Sequence, residues 1–318
     1  MKSLFNFAIA AVLFLSILSA GCGTTPQSNT ASDAAPKIKV ADAVHGDQDV
    51  PVDPKRIVSF DYGTLDTLVA LGLQNKIAGL PKSNLPELLK ELNYEKYANV
   101  GTLFEPNFET LYTLKPDLIV VSGRAAAKIP ELRKIAPTIF LEPKNEDYYN
   151  SFKANTELLG KILNKEADVK TKLDALDKKV ADLKAKTSAS EKTGLISLYT
   201  GGKISVYGPQ SRFGILHQAF GIKPADTEIK EAAQHGQVVN FEYLKKVDPD
   251  YLFVIDRAQI LGEETLAKTF LDNDVMRSTK AFKNDGVVYL NTENWYTVSG
   301  GLRSLDKMVD EIIGIFKP

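Results

Sequence analysis

The stretch Asn107-Phe108-Glu109-x-Leu111, followed by Pro116-Asp117, Val121 and Arg124, returns as Asn240-Phe241-Glu242-x-Leu244, Pro249-Asp250, Val254 and Arg257. Every element is displaced by the same 133 positions (240 − 107, 257 − 124). One chain therefore carries two copies of one structural unit. Each copy reads as a helix opened at Asn107 or Asn240 and stopped by a Pro-Asp turn. An apolar strand follows, Leu118–Val121 or Tyr251–Ile255, with the arginine just past its end. In an open α/β sheet that end is where ligands sit. If the copies face each other across a cleft, the arginines stand on opposite walls and suit a polyanion held between two lobes. A fold repeat alone would give the same spacing, so at this point the arginines read equally well as surface charges.

The chain has 318 residues, 44% hydrophobic and 25% charged, which matches about two domains at ~150 residues each. A net charge of −1 and a pI near 6.4 argue against a nucleic-acid binder, whose footprint is a basic face. Any positive site has to be local.

Lys2 precedes an apolar run from Ala8 to Ala20, too short to span a bilayer, and the small residues Ser19-Ala20-Gly21 lead to Cys22. This is an export signal over 1–21. Cys22 is the single cysteine and can form no internal disulfide. Its position resembles the lipobox of bacterial lipoproteins, although Leu18 stands four places before it rather than three. The resemblance implies a lipidated Cys22 and an anchor on the outer face of the bacterial cytoplasmic membrane. Residues 22–37, rich in Thr, Ser, Asn, Ala and Pro, read as a flexible tether.

An N-terminal lobe is expected over 38–146, a helical segment over 147–190 and a C-terminal lobe over 191–318. The first lobe opens with the strand Arg56–Phe60, a loop at Asp61-Tyr62-Gly63 and a helix Leu65–Leu71 closed by Gly72. The second opens in the same layout, with Lys203–Tyr207, the loop Gly208–Arg212, and a helix Phe213–Phe220 closed by Gly221. Between them Val169, Leu173, Leu176, Val180 and Leu183 keep the spacing of an amphipathic helix from about Glu166 to Thr187. At ~1.5 Å per residue it would be roughly 33 Å long, a stiff strut between lobes. The expected fold class is α/β, two Rossmann-like lobes joined by one long helix with a ligand cleft between them.

The lipobox, the two lobes, the long helix and the paired Asn-Phe-Glu…Pro-Asp units resemble the helical-backbone class of substrate-binding proteins that serve ABC importers of ferric siderophores, haem and cobalamin. More narrowly, Phe60–Leu68, Gly208–Arg212, His235-Gly236-Gln237, Val254–Arg257 and Trp295-Tyr296 resemble lipoproteins that bind petrobactin and related ferric catecholates. The likeness spans about Ile38 to Lys317. It implies no cofactor and no enzymatic activity; the ligand is an Fe(III)–siderophore complex. The implied partners are a permease dimer with its ATPase and the membrane, and the protein is expected to be a monomer.

In that class three pocket arginines meet the ligand, and the matching positions are Arg124, Arg212 and Arg257. Arginine suits the role because it stays charged, donates through a flat fork and stacks on aromatic rings. The resemblance also implies ligand contacts at Tyr62, His235, Trp295 and Tyr296, with His235 and Tyr296 completing the iron's coordination when a siderophore is tetradentate. Glu109 and Glu242 match acids that pair with permease arginines. Equally, each is a carboxylate in a first helical turn, where the dipole favours it by ~0.3–1 kcal/mol. No nucleophile elbow, P-loop or His-Glu-x-x-His occurs, and His45, His217 and His235 are far apart. Haem or cobalamin binding on the same fold is the alternative.

Overall fold

Strands Ile57–Phe60 and Leu118–Val121 are apolar except at Ser59 and buried at every residue, as strands covered on both faces must be. In the computed structural model, which describes residues 36–42, 44–229 and 235–316, they lie at the centre of the first lobe. The export signal, Cys22 and nearly all of the tether fall outside the described residues. Lys37, read as the tether's end, already opens strand β1.

Strands β1 (Lys37–Val40) and β2 (Gln48–Pro51) form an antiparallel ribbon. Then come β3 (Ile57–Phe60), β4 (Ile77–Leu80), β5 (Ala98–Asn99), β6 (Leu118–Val121) and β7 (Thr138–Phe140), a wholly parallel sheet in the order β5-β4-β3-β6-β7. The order reverses between β3 and β6, so the chain leaves their carboxyl ends toward opposite faces and opens a crevice there.

The second sheet comprises β8 (Thr193–Thr200), β9 (Lys203–Tyr207), β10 (Lys223–Pro224), β11 (Gln237–Val239), β12 (Tyr251–Asp256) and β13 (Val287–Leu290). Its order is β11-β9-β8-β12-β13, with β10 beside the start of β8. Lys203–Tyr207 does not open this lobe as expected. It is the return arm of a hairpin with β8 across Gly201-Gly202, both at positive φ, and the counterpart of β3 is β8, the central neighbour of β12. The expected helix Phe213–Phe220 shrinks to Ile215–Gln218.

The repeat is reproduced at its joints, with Asn and Asp in the same roles in both copies. The side chains of Asn107 and Asn240 accept from the N–H groups of Thr110 and Tyr243, capping helices Phe108–Leu114 and Phe241–Val247. Both helices stop on left-handed residues 133 apart, Lys115 (φ 47°) and Asp248 (φ 45°). Asp117 then accepts from the N–H groups of Lys55 and Arg56, and Asp250 from that of Thr193, each holding the start of the neighbouring central strand.

The long helix runs Glu166–Ser188, and its stripe Val169, Leu173, Leu176, Val180 and Leu183 is buried in the C-lobe core. Two further elements bridge the lobes. Helix Tyr148–Leu163 puts Tyr148 and Phe152 into the C-lobe core and Leu159, Ile162 and Leu163 into that of the N lobe. The C-terminal helix Leu302–Ile315 is capped from outside itself. Asp66, fully buried on helix Tyr62–Ala70, accepts from the N–H groups of Arg303 (2.7 Å) and Ser304 (2.9 Å) and from Arg303 Nε (2.7 Å). A Cβ on Gly301 would stand 2.3 Å from Asp66 Oδ2, so the cap residue itself has to be glycine. The interlobe strut thus has a second brace.

Candidate ligand site at the interlobe cleft

Arg124 is the second residue of the 3-10 turn Gly123–Lys128 after β6, and Arg257 is the first residue after β12, so each stands at the carboxyl end of a central strand. Arg212 lies in the tight turn after β9, where Ser211 N–H and Gly214 N–H bond back to Gly208 and Ser211 carbonyls. The four-residue helix that follows is too short to lend it a useful dipole. All three arginines are half-buried.

They converge on one side chain. The guanidinium carbons of Arg212, Arg257 and Arg124 lie 4.6, 5.6 and 5.7 Å from the centroid of the Tyr296 ring. Tyr296 belongs to a π-helical turn, Glu293–Val298, a rare geometry often found at functional sites. Arg124 Nη2 donates to the Tyr296 carbonyl at 2.9 Å and Nη1 to that of Thr297 at 3.2 Å. Arg212 adds a longer bond of 3.4 Å to the Tyr296 carbonyl. Among the described residues Arg257 donates to nothing, and none of the three is in an ion pair within 4.0 Å. Burial and the like charge of Arg212 lower the pKa of Arg124. The cluster concentrates three positive charges with no acid in ion-pair contact among the described residues, an arrangement that can accept a multiply charged anion. A groove of about 370 Å³ is lined by Asn84 and Leu85 of the first lobe and by Gln259, Ile260 and Glu293 of the second, and none of the three arginines lines it.

Two acids stand on the N-lobe rim of this site. Asp61, after β3, caps helix Tyr62–Ala70 by accepting from Thr64 N–H (2.7 Å) and Oγ1 (2.8 Å). Glu142 follows β7 and lies so close to Gly123 that a Cβ there would meet its carboxylate oxygens at 2.8 and 2.9 Å. Lost hydration raises both pKa values, and Asp61 and Glu142 repel each other, while Arg124 pulls both back down and Arg212 does the same for Glu142. Sequence reasoning missed both acids. Asp61 carried a signal, an Asp three residues before Thr64 at the mouth of a strand; Glu142 carried none.

Tyr62 and Trp295 do not line the cleft as expected. Tyr62 is 1% exposed, its hydroxyl donates to the Ser83 carbonyl at 3.0 Å, and burial pushes its pKa up to about 12. Trp295 is also 1% exposed, edge-on to Phe220, with Nε1 donating to Glu311 at 2.8 Å. The backbone turns Tyr296 toward the arginines and its neighbour into the core. His235 is exposed, and its carbonyl accepts from Tyr207 Oη at 2.9 Å. Burial raises the pKa of Tyr207 to about 12, and the charges of Arg212 and Arg257 oppose that rise. Among the described residues no group of three or more His, Cys, Asp or Glu gathers to hold a metal ion. Glu109 and Glu242 are both exposed in the first turns of their helices, away from the arginines in sequence and on the capped ends.

Known proteins share this architecture. Over 309 residues, 95% of this chain and 97% of the relative, the sequence is 42% identical to the petrobactin-binding protein YclQ of Bacillus subtilis. The crystal structure of YclQ superposes with a TM-score of 0.86 at 43% identity, covering 89% of this chain and 99% of that one. The ferric-anguibactin-binding protein FatB of Vibrio anguillarum is 30% identical over 98% of both chains. The periplasmic catecholate-siderophore binding protein VctP of Vibrio cholerae is 29% identical with a TM-score of 0.82, over 88% of this chain and all of that one. Residues 57–293 match the model of the periplasmic binding protein family, and the chain belongs to that family of substrate-binding proteins rather than to the enzymes.

Proposed function

We propose that this protein captures a ferric siderophore of the catecholate type between its lobes and delivers it to the permease dimer of an ABC importer. The observation that carries the reading is the convergence of Arg124, Arg212 and Arg257 on the Tyr296 ring without an ion pair among them. Catecholate and carboxylate oxygens sheathe a ferric ion in negative charge, and guanidinium forks bind such a surface while a phenol ring stacks on its aromatic rim. The names of the relatives, binders of petrobactin, ferric anguibactin and catecholate siderophores, support the ligand class.

Export and a lipid anchor at Cys22 would hold the protein as a monomer beside its importer, with Glu109 and Glu242 presented to the permease, one from each lobe. With a tetradentate complex, the two open iron positions fall to His235 and Tyr296. Titration of purified protein with ferric catecholates, ferric hydroxamates, haem and cobalamin tests the reading. Saturable binding of the ferric catecholates is expected; binding of haem or cobalamin without them would replace it with a different cargo.

A further inference from the structure

The N-lobe wall of the cleft is not purely cationic. In the sheet order β3-β6-β7, the carboxyl ends of three adjacent strands carry Asp61, Arg124 and Glu142 in turn. Asp61 is committed, its Oδ2 occupied by two bonds from Thr64. Glu142 is not. The residue reaches solvent along part of its length while its carboxylate end packs on the backbone of Gly123 beside Arg124, and among the described residues it makes no ion pair within 4.0 Å. The groups that face it electrostatically are Asp61, Arg124 and Arg212, and Tyr148 stands within reach of the same field. A site built only for anions would gain by having no acid there, since a free carboxylate repels every catecholate oxygen placed nearby. Tyr148 Oη is hydrogen-bonded to Ser299 Oγ and makes no bond to Glu142 among the described residues.

Resting on the siderophore reading above, we propose that Glu142 is a specificity-determining residue that accepts a protonated amine of the ligand. The preferred ligand class is a ferric catecholate whose linkers carry ammonium groups. The arginines take the anionic iron centre and Glu142 takes the cationic arm, so a ligand lacking that arm leaves a carboxylate unpaired against its own negative charge.

The test uses two synthetic ferric tris-catecholates on the same polyamine backbone, one with free secondary amines and one with those nitrogens acetylated. Both are titrated against the wild-type protein and Glu142→Gln. The wild type should prefer the free-amine complex by about ten-fold, the return of one charge-assisted contact. In Glu142→Gln the free-amine complex should bind more weakly and the acetylated one more tightly, so the two affinities move in opposite directions. Tightening of both would make Glu142 a mere counterion to the arginines and overturn the proposal. Weakening of both would make it a structural support and overturn it equally. Absence of binding by either complex to the wild type would instead defeat the siderophore reading itself, a result distinct from equal binding of the two, which defeats only the role of Glu142.

Discussion

The two lobes repeat their joints and differ in what they do with them. Asparagine caps, left-handed helix stops and Pro-Asp clasps recur at a constant offset, because each answers a local need of the chain: unpaired N–H groups at a helix start, a reversal, a strand to hold in register. The arginines at the end of the repeat do not share a fate. Arg124 is bonded to two carbonyls of the π-helical turn and flanked by Asp61 and Glu142; Arg257 has no hydrogen-bonding partner among the described residues. The sheets differ as well, one wholly parallel, the other begun by a hairpin. The repeated scaffold therefore sets two arginines in matching places, and the π-helical turn after β13, which bonds Arg124 and not Arg257, makes their surroundings unequal.

The N lobe's hold on the C-terminal helix is where that inequality should be felt most. Asp66 is fully buried and receives three donors from Arg303 and Ser304, and removing one partner of a buried charged contact costs about 3–5 kcal/mol. Asp66→Ala should lower the unfolding free energy in urea by that much, with Asp66→Asn losing less because it still accepts. A loss below about 1 kcal/mol for Asp66→Ala would mean that helices Glu166–Ser188 and Tyr148–Leu163 set the relation of the lobes without this contact.

How much of this could be read beforehand follows the same division between local and non-local causes. The long helix showed itself through five apolar residues at helical spacing, and the repeated caps through Asn at a helix start, because both signals lie within a few residues. The hairpin of β8 and β9 has a local signal in Gly201-Gly202, but the matching layout of Lys203–Tyr207 and the first strand of the other lobe points to a different opening of the lobe. The direction of Trp295 and Tyr62 was not legible at all. A π-helical turn and a core contact formed with residues far along the chain decide which of two neighbouring aromatics faces the cleft. The clustering of the three arginines around Tyr296 likewise depends on the crossing of the lobes, which no spacing encodes.

The unequal arginines give the second prediction. Charge-assisted contacts contribute roughly 1.5–3 kcal/mol each, so Arg257→Ala should weaken binding of a ferric catecholate by about ten-fold or more and leave thermal stability unchanged. Arg124→Ala should lose affinity too. It should also lower stability by about 1 kcal/mol, since its two carbonyl bonds tie the N lobe to the π-helical turn. Calorimetric unfolding of both variants, paired with fluorescence titration, reads the difference. Equal stability of the two variants would remove the distinction between a bonded and a free arginine; unaltered affinity in both would remove the site.

The smallest effect should appear at the two exposed glutamates, where the lobes look most alike. Glu109 and Glu242 occupy the same place in the first turn of matching helices, and each is offered to one half of the transporter in the function proposed above. Their helices differ downstream. Helix Phe241–Val247 carries Lys245 and Lys246, three and four residues after Glu242, the spacing at which opposite charges on a helix meet and offset each other. Helix Phe108–Leu114 has Tyr112 and Thr113 at those positions and no basic residue, so Glu109 projects its charge undiminished. Rim charges act mainly through encounter with a complementary surface. Glu109→Ala should therefore reduce siderophore-dependent iron uptake by about three-fold and Glu242→Ala by less, the double variant exceeding either, all with normal affinity for the ligand in solution. Uptake of a labelled ferric siderophore by cells lacking the native protein is the measurement. Adding Lys245→Ala and Lys246→Ala should bring Glu242→Ala up to the cost of Glu109→Ala, because those lysines are what makes the C-lobe acid count for less. Equal losses from the two single variants, unmoved by the lysine changes, would show that the transporter treats the lobes as equivalent despite their different helix faces.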